Sequence, residues 1–239
     1  MTDSEPTDGL GPYEAVCAHP AGQTTAARQA KTATEYGFDG VVIRTREAAY
    51  DAETLAQKYG IDVVRGIEVE ASDPETASGA VGNHRTECTV LCVRGGTPAI
   101  NRFAVEQDRV DVLTRPLRAD GDVNHVIVKQ AIEHNVRLEF DLGPVLRRDG
   151  GERVRYLRKL KKLREVVDYY DAPYVVSATP DSHLELRAPR ELAAVGGAIG
   201  FEDGAIEQGL AEWGRVAARN RARRSESFIS PGVELEDKR

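Results

Sequence analysis

Residues 38–70 read Phe38-Asp-Gly-Val-Val-Ile43, then Glu47-Ala-Ala-Tyr-Asp-Ala-Glu-Thr-Leu-Ala-Gln-Lys-Tyr59, then Gly60, then Ile61-Asp-Val-Val-Arg-Gly-Ile-Glu-Val-Glu70. The first and last runs are short and rich in β-branched residues, which suit a pleated surface. Between them lie good helix formers closed by a glycine, the residue that most readily takes the left-handed conformation at a helix end. Strand, helix, strand over this length is a βα repeat, and repeats of that kind build mainly parallel sheets. Working outward, Tyr13–Ala18 reads as a strand and Thr24–Tyr36 as a helix. Downstream, Ala71–His84 is rich in Ser, Gly, Asp and Pro and predicts a loop. Glu87–Val93 (strand), Pro98–Gln107 (helix) and Val110–Leu113 (strand) follow, and Asp122 reads as the N-cap of a helix running to Asn135. Val136–Leu142 (strand), Glu152–Tyr170 (a long helix) and Tyr174–Ser177 (strand) come next, with Pro189–Ile199 and Glu202–Arg224 helical. Seven strands alternating with helices predict a single α/β barrel of the triose-isomerase (TIM) type over residues 13–224, with an open doubly wound sheet as the alternative. Residues 1–12 read as a disordered acidic lead and 225–239 as a flexible tail.

Composition limits the function classes. The chain has 239 residues, ample for one large α/β core. No apolar run approaches the roughly 18 residues that span a membrane, and the polar, acidic start is no signal peptide. Cys17, Cys88 and Cys92 are odd in number and lack Cys-x-x-Cys spacing, which predicts a reducing compartment, the cytoplasm. A formal net charge of −7 ordinarily counts against a nucleic-acid partner. The cations are unevenly placed, however: between Arg147 and Arg164 nine basic residues stand against only Asp149 and Glu152. The remainder is therefore strongly acidic, a surface suited to solubility in high salt.

On the long predicted helix, Tyr156, Leu157, Leu160, Leu163, Val167 and Tyr170 share one side, and Arg155, Arg158, Lys159 and Lys162 gather opposite. Four cations on one face can follow a phosphate backbone, although a solvated basic face has the same spacing. Arg215, Arg219 and Arg223 form a second, weaker stripe, reinforced by Arg221 and Arg224. His125 and Lys129, one helical turn apart, can both donate to phosphate or ribose; a half-buried histidine beside a snorkelling lysine fits equally. In Arg187-Ala-Pro-Arg190 two arginines flank the first turn of a helix, a good phosphate position, with pairing to Glu185 or Glu191 as the structural alternative. For acid–base chemistry the candidates are Glu68 with Glu70 and Glu139 with Asp141, because alternate residues of a strand share a face. None of the five histidines forms a His-x-His pair, and no glycine-rich phosphate loop or nucleophile elbow is present.

Several stretches in a fixed order resemble a known family. They are Asp111-Val-Leu-Thr-Arg-Pro, Asp122-Val-Asn-His-Val-Ile-Val-Lys-Gln-Ala, Asn135-Val-Arg-Leu-Glu-Phe-Asp-Leu, Arg153-Val-Arg-Tyr-Leu-Arg-Lys-Leu, Asp171-Ala-Pro-Tyr-Val-Val-Ser-Ala and Leu186-Arg-Ala-Pro-Arg-Glu-Leu, with Ile199-Gly-Phe after them. Together they are similar to the thirty-kilodalton-class subunit of ribonuclease P, over roughly Tyr13 to Arg224. The resemblance implies a TIM-like barrel related to the polymerase-and-histidinol-phosphatase (PHP) metal hydrolases. It also implies a ribonucleoprotein that trims 5′ leaders from precursor tRNA, with its RNA as catalyst. The partners implied are that catalytic RNA, precursor tRNA and other protein subunits, above all a small ferredoxin-like one. Mg2+ is expected for the RNA and no cofactor for this chain. Arg115, His125, Lys129, Arg187 and Arg190 are the RNA-facing positions the resemblance suggests. Where the hydrolases carry His-x-His, this chain reads Cys17-Ala-His19, and Gly66-Ile-Glu68 resembles their next acidic ligand. The remaining ligands are missing, which predicts a barrel that kept its frame without a metal centre; a PHP-type phosphoesterase is the competing reading.

Overall fold

The computed structural model describes residues 9–224, 228–230 and 233–234. Seven parallel strands stand side by side in sequence order: β1 (Tyr13–Val16), β2 (Gly40–Ile43), β3 (Asp62–Val69), β4 (Val90–Arg94), β5 (Val112–Thr114), β6 (Arg137–Asp141) and β7 (Tyr174–Ser177). The helices are α1 (Ala26–Glu35), α2 (Ala52–Tyr59), α3 (Pro74–His84), α4 (Pro98–Val105), α5 (His125–Glu133), α6 (Gly143–Arg147), α7 (Gly150–Tyr170), α8 (Pro189–Ile199) and α9 (Ala205–Ala222). The predicted α/β barrel is therefore present, with one seam. β1 and β7 lie together without a backbone ladder. The buried carboxyl group of Glu14 stitches this seam, its Oε1 accepting from the amides of Ala15 and Ala178, both at 3.0 Å. Cys17 N–H donates across the same gap to the Pro180 carbonyl at 3.0 Å.

Helix ends follow the local sequence. Thr25, Asp51 and Thr97 cap α1, α2 and α4 through their side chains, and Gly60 ends α2 with φ of 66°. Two expectations need correction. Most of Ala71–His84 is not a loop: Asp73 accepts from Thr76 N–H and Pro74 opens α3, which runs to His84. The glycines and serines that suggested a loop weaken that helix, but the cap and proline set its start, and Ala77 and Val81 bury its inner side. The α5 cap is Asn124, not Asp122; its side chain accepts from Val126 and Ile127 N–H. Of the expected flexible tail, Phe228–Ser230 and Val233–Glu234 pair as two short antiparallel strands. The rest of that tail and most of the acidic lead lie outside the described residues.

The core has two parts. A large cluster lies between the strands and the surrounding helices, including Ile43, Leu91, Leu138, Phe140, Leu160 and Leu163. A smaller one lies inside the barrel, where Ala15, Val42, Val64, Val90, Cys92, Val112 and Val175 meet Trp213, Val216 and Ala217 of α9. The last helix thus lies across the N-terminal end of the barrel as a stopper. Trp213 is fully buried and its indole N–H donates to the Val176 carbonyl at 2.9 Å. Gly214 permits the close approach, since a Cβ there would come within 2.6 Å of the Tyr13 ring.

Candidate nucleic-acid interface

Two residues beyond the apolar barrel layer, toward the C-terminal ends of the strands, the inward positions turn polar. Val42 is followed by Arg44, Cys92 by Arg94, Val112 by Thr114, and Val175 by Ser177, because alternate residues share a face. Arg44 is fully enclosed; one of its terminal nitrogens, Nη1, reaches Glu68 at 3.2 Å and Glu139 at 3.0 Å. Thr114 and Ser177 hydroxyls donate to the same two carboxylates, each at 2.6 Å, and Arg115 N–H donates to Glu139 at 2.8 Å. Arg94 straddles Glu68 (2.6 Å) and Glu70 (2.5 Å). Burial disfavours the Glu68 charge, but Arg44, Arg115 and Arg94 outweigh it and hold its carboxyl down at about 2. Such a group is a poor proton acceptor at neutral pH. Asp141 behaves oppositely: burial and then the neighbouring Glu139 push it up to about 6, although Thr179 O–H and Gly143 N–H both donate to it.

The donor set does not suit a metal. Among the described residues no group of three or more His, Cys, Asp or Glu side chains is placed to hold one. The cation between Glu68 and Glu139 is the guanidinium of Arg44. Cys17 packs 3.7 Å from an Arg115 terminal nitrogen, and His19 is exposed beyond the strand.

Above this polar layer opens a cavity of about 740 Å³, lined by seven cations and three carboxylates. Arg115, Arg155 and Lys159, singled out from the sequence, all line it. The other named positions are dispersed. Arg158 is exposed on α7; Lys162, further along, pairs with Asp122 at 3.1 Å. His125 and Lys129 are exposed on α5, with Lys129 5.5 Å from the centre of the Tyr170 ring, so the half-buried pair is not what forms. Arg187 and Arg190 lie elsewhere. Arg187 donates to the carbonyls of Leu184 (3.1 Å) and Leu186 (2.7 Å), not to Glu185, which faces Arg147 at 3.7 Å. Arg190 is exposed at the start of α8, where Glu191 already takes the Ala188 N–H at 2.9 Å. The second arginine stripe is structural. Arg219 and Arg221 pair with Asp111 and Asp62, fastening α9 to the barrel floor, while Arg215 pairs with Glu212 within α9 itself.

The profile of the RNase P subunit p30 family matches residues 12–225. The chain belongs to that family. A relative in Haloarcula marismortui called ribonuclease P protein component 3 is 54% identical over 228 residues, covering 94% of this chain and 97% of its own. In a solved archaeal ribonuclease P with mature tRNA, one chain superimposes with a TM-score of 0.78 at 20% identity, over 95% of this chain and 100% of that one. The fold is shared more distantly with a histidinol phosphate phosphatase from Lactococcus lactis, at a TM-score of 0.51 and 10% identity over 80% of this chain and 94% of the other. The TIM-like barrel frame expected from the sequence is thus present.

Within the p30-family barrel, sequence reasoning missed Arg94, Arg118, Arg147 and Arg148 as neighbours of Arg115 and Arg155 around the cavity. These residues end β4 or lie between β5 and α7, and only closure of the barrel brings them together. One signal was available: Arg94 and Arg115 each end or follow a strand, where barrel residues face the C-terminal mouth. Arg44 carried no such mark, because a buried arginine in a strand reads as an interruption of an apolar run.

Proposed function

We propose that this chain works as a protein subunit of ribonuclease P, holding RNA by its cationic side while the RNA subunit cleaves precursor tRNA at the 5′ leader. The observation that carries the RNA-binding role is the exposed basic half of α7. Arg155 and Arg158 project from it with no carboxylate partner among the described residues, in a chain whose net charge is −7. Positive charge left unpaired on an acidic protein favours a polyanionic partner through counterion release. His125, Lys129, Lys159, Lys162, Arg115, Arg187 and Arg190 are proposed as further RNA-facing positions, all exposed except the half-buried Arg115 and Arg187. The proposed partners are the catalytic RNA, precursor tRNA and other protein subunits, including a small ferredoxin-like one. Mg2+ serves the RNA, and this chain contributes no catalytic group. The cytoplasm is the proposed location; three free, buried cysteines support it, and no helix among the described residues is long and apolar enough to cross a membrane. Capture of the tagged chain from its own cells, followed by sequencing of bound RNA and identification of bound proteins, tests the assignment. Recovery of ribonuclease P RNA is the expected result, and its absence overturns the proposal.

A further inference from the structure

The two ends of the barrel treat their arginines differently. At the floor, Arg85, Arg137, Arg219 and Arg221 each meet a carboxylate. At the mouth, Arg115, Arg118, Arg155 and Lys159 line the cavity of about 740 Å³, and among the described residues none of the four pairs with a carboxylate. Some of these cations are nevertheless held in place. Lys159 Nζ donates to the carbonyls of Leu117 (3.0 Å) and Ala119 (3.2 Å), and Arg147, also in the wall, donates to those of Ala178 (2.9 Å) and Thr179 (3.2 Å). Carbonyls orient a cation without cancelling its charge. Arg115 Nε is buried with no hydrogen-bond partner, an unmet donor at the base of the cavity.

Three carboxylates face the cavity against seven cations: Glu152 lies 3.9 Å from Arg148, Asp141 accepts from Thr179 O–H and Gly143 N–H, and Asp181 is half-buried, so the wall keeps a positive excess. Leu117, Pro144 and Tyr156 give the same cavity an apolar side. A volume of this size is that of a small-ligand pocket, not of a flat surface that a backbone runs across.

We infer that the barrel mouth is a binding pocket for one nucleotide: its phosphate is held by Arg115, Arg118, Arg155 and Lys159, and its ribose or base rests against Pro144 and Tyr156. The nucleotide comes either from an RNA strand or from the free pool; the recognition chemistry is the same. The inference deepens the RNA-binding reading but is read on the isolated chain, so the two can fail separately.

Calorimetric titration of the purified chain with AMP, adenosine and inorganic phosphate tests it. AMP binds saturably at one site per chain, phosphate competes more weakly, and adenosine does not compete. Arg118→Gln with Arg155→Gln lowers AMP affinity about tenfold or more, a loss of roughly 1.4 kcal/mol or greater. Both side chains are exposed, so the melting temperature stays unchanged. Lys31→Gln with Lys58→Gln, the same charge change far from the mouth, leaves affinity intact. A short oligoribonucleotide that displaces AMP at lower concentration identifies an RNA strand as the source; AMP binding that the oligonucleotide leaves untouched identifies the free nucleotide. Absence of saturable AMP binding at millimolar concentration, or equal binding by the mouth double variant, overturns the pocket. Recovery of ribonuclease P RNA from cells alongside either of those results would leave the subunit assignment standing.

Discussion

Arg44 is the residue on which the barrel interior turns. Its guanidinium sits where two strands each present a carboxylate, and removing it leaves Glu68 and Glu139 buried without their shared cation. Loss of one partner of a buried ion pair costs about 3–5 kcal/mol, so Arg44→Met should lower the free energy of urea unfolding by that order. An unchanged unfolding midpoint would mean that water or Arg94 replaces it. Glu14 makes a different forecast. Burial pushes its carboxyl up to about 8 from 4.5, against the pull of its two amide donors. Between those values the folded chain keeps a proton that the unfolded chain has released, so this group's contribution is complete below 4.5 and declines as pH rises to 8. Glu14→Gln removes the titration, and its stability should fall less steeply than the parent's across that window. A variant as pH-sensitive as the parent would mean that Glu14 is ionised in the folded protein. Neither residue was legible in the sequence, because each role depends on a strand far away in the chain. Arg115 was legible from the resemblance; its unmet Nε and its place at the mouth were not.

At the scale of elements, the regular pattern carried most of the information. All seven strands and the long amphipathic helix were legible, since short β-branched runs buried on both faces and period-3.6 burial leave direct marks on residue order. What escaped were the short α6, and α3, whose glycine-rich composition hid a well-made start at Asp73 and Pro74. On α7 the sequence placed four cations on one face, and the structure distinguishes among them. Arg155 and Arg158 have no carboxylate partner among the described residues, Lys159 is tied to carbonyls, and Lys162 is tied to Asp122. Arg155→Ala with Arg158→Ala should therefore reduce the dependence of RNA affinity on salt by about 0.7–0.9 units of log–log slope for each phosphate that is no longer neutralised. Lys162→Ala alone should change it less. Affinity measured across a salt series decides the matter, and parallel lines for parent and double variant would make α7 a merely solvated face.

For the whole molecule, the polar groups inside the barrel are ill-suited to hydrolysis. A guanidinium stands between the acidic side chains, Glu68 is too acidic to accept a proton near neutrality, and no metal-binding group of side chains forms among the described residues. The purified chain, free of RNA, should accordingly leave precursor tRNA uncut and retain less than one equivalent of metal after dialysis. Cleavage by RNA-free protein, or two metals per chain by elemental analysis, would reverse this reading. The overall architecture was legible because alternating strands and helices admit few arrangements. The cavity was not, because its lining comes from separated strand ends, loops and helices that only closure of the barrel brings together.

The position of α9 bears on how the chain is made. Its residues 205–222 follow all seven strands, yet Trp213, Val216 and Ala217 complete the packing inside the barrel. While synthesis proceeds from β1 to β7, the apolar floor therefore stays open to water, and a growing polypeptide cannot finish its interior in the order in which it emerges. The last step is the docking of a late helix onto nearly complete strands. An arrest in translation before residue 205 would leave a cell with chains whose strands are all present and whose floor is bare, the kind of species that chaperones and proteases must clear.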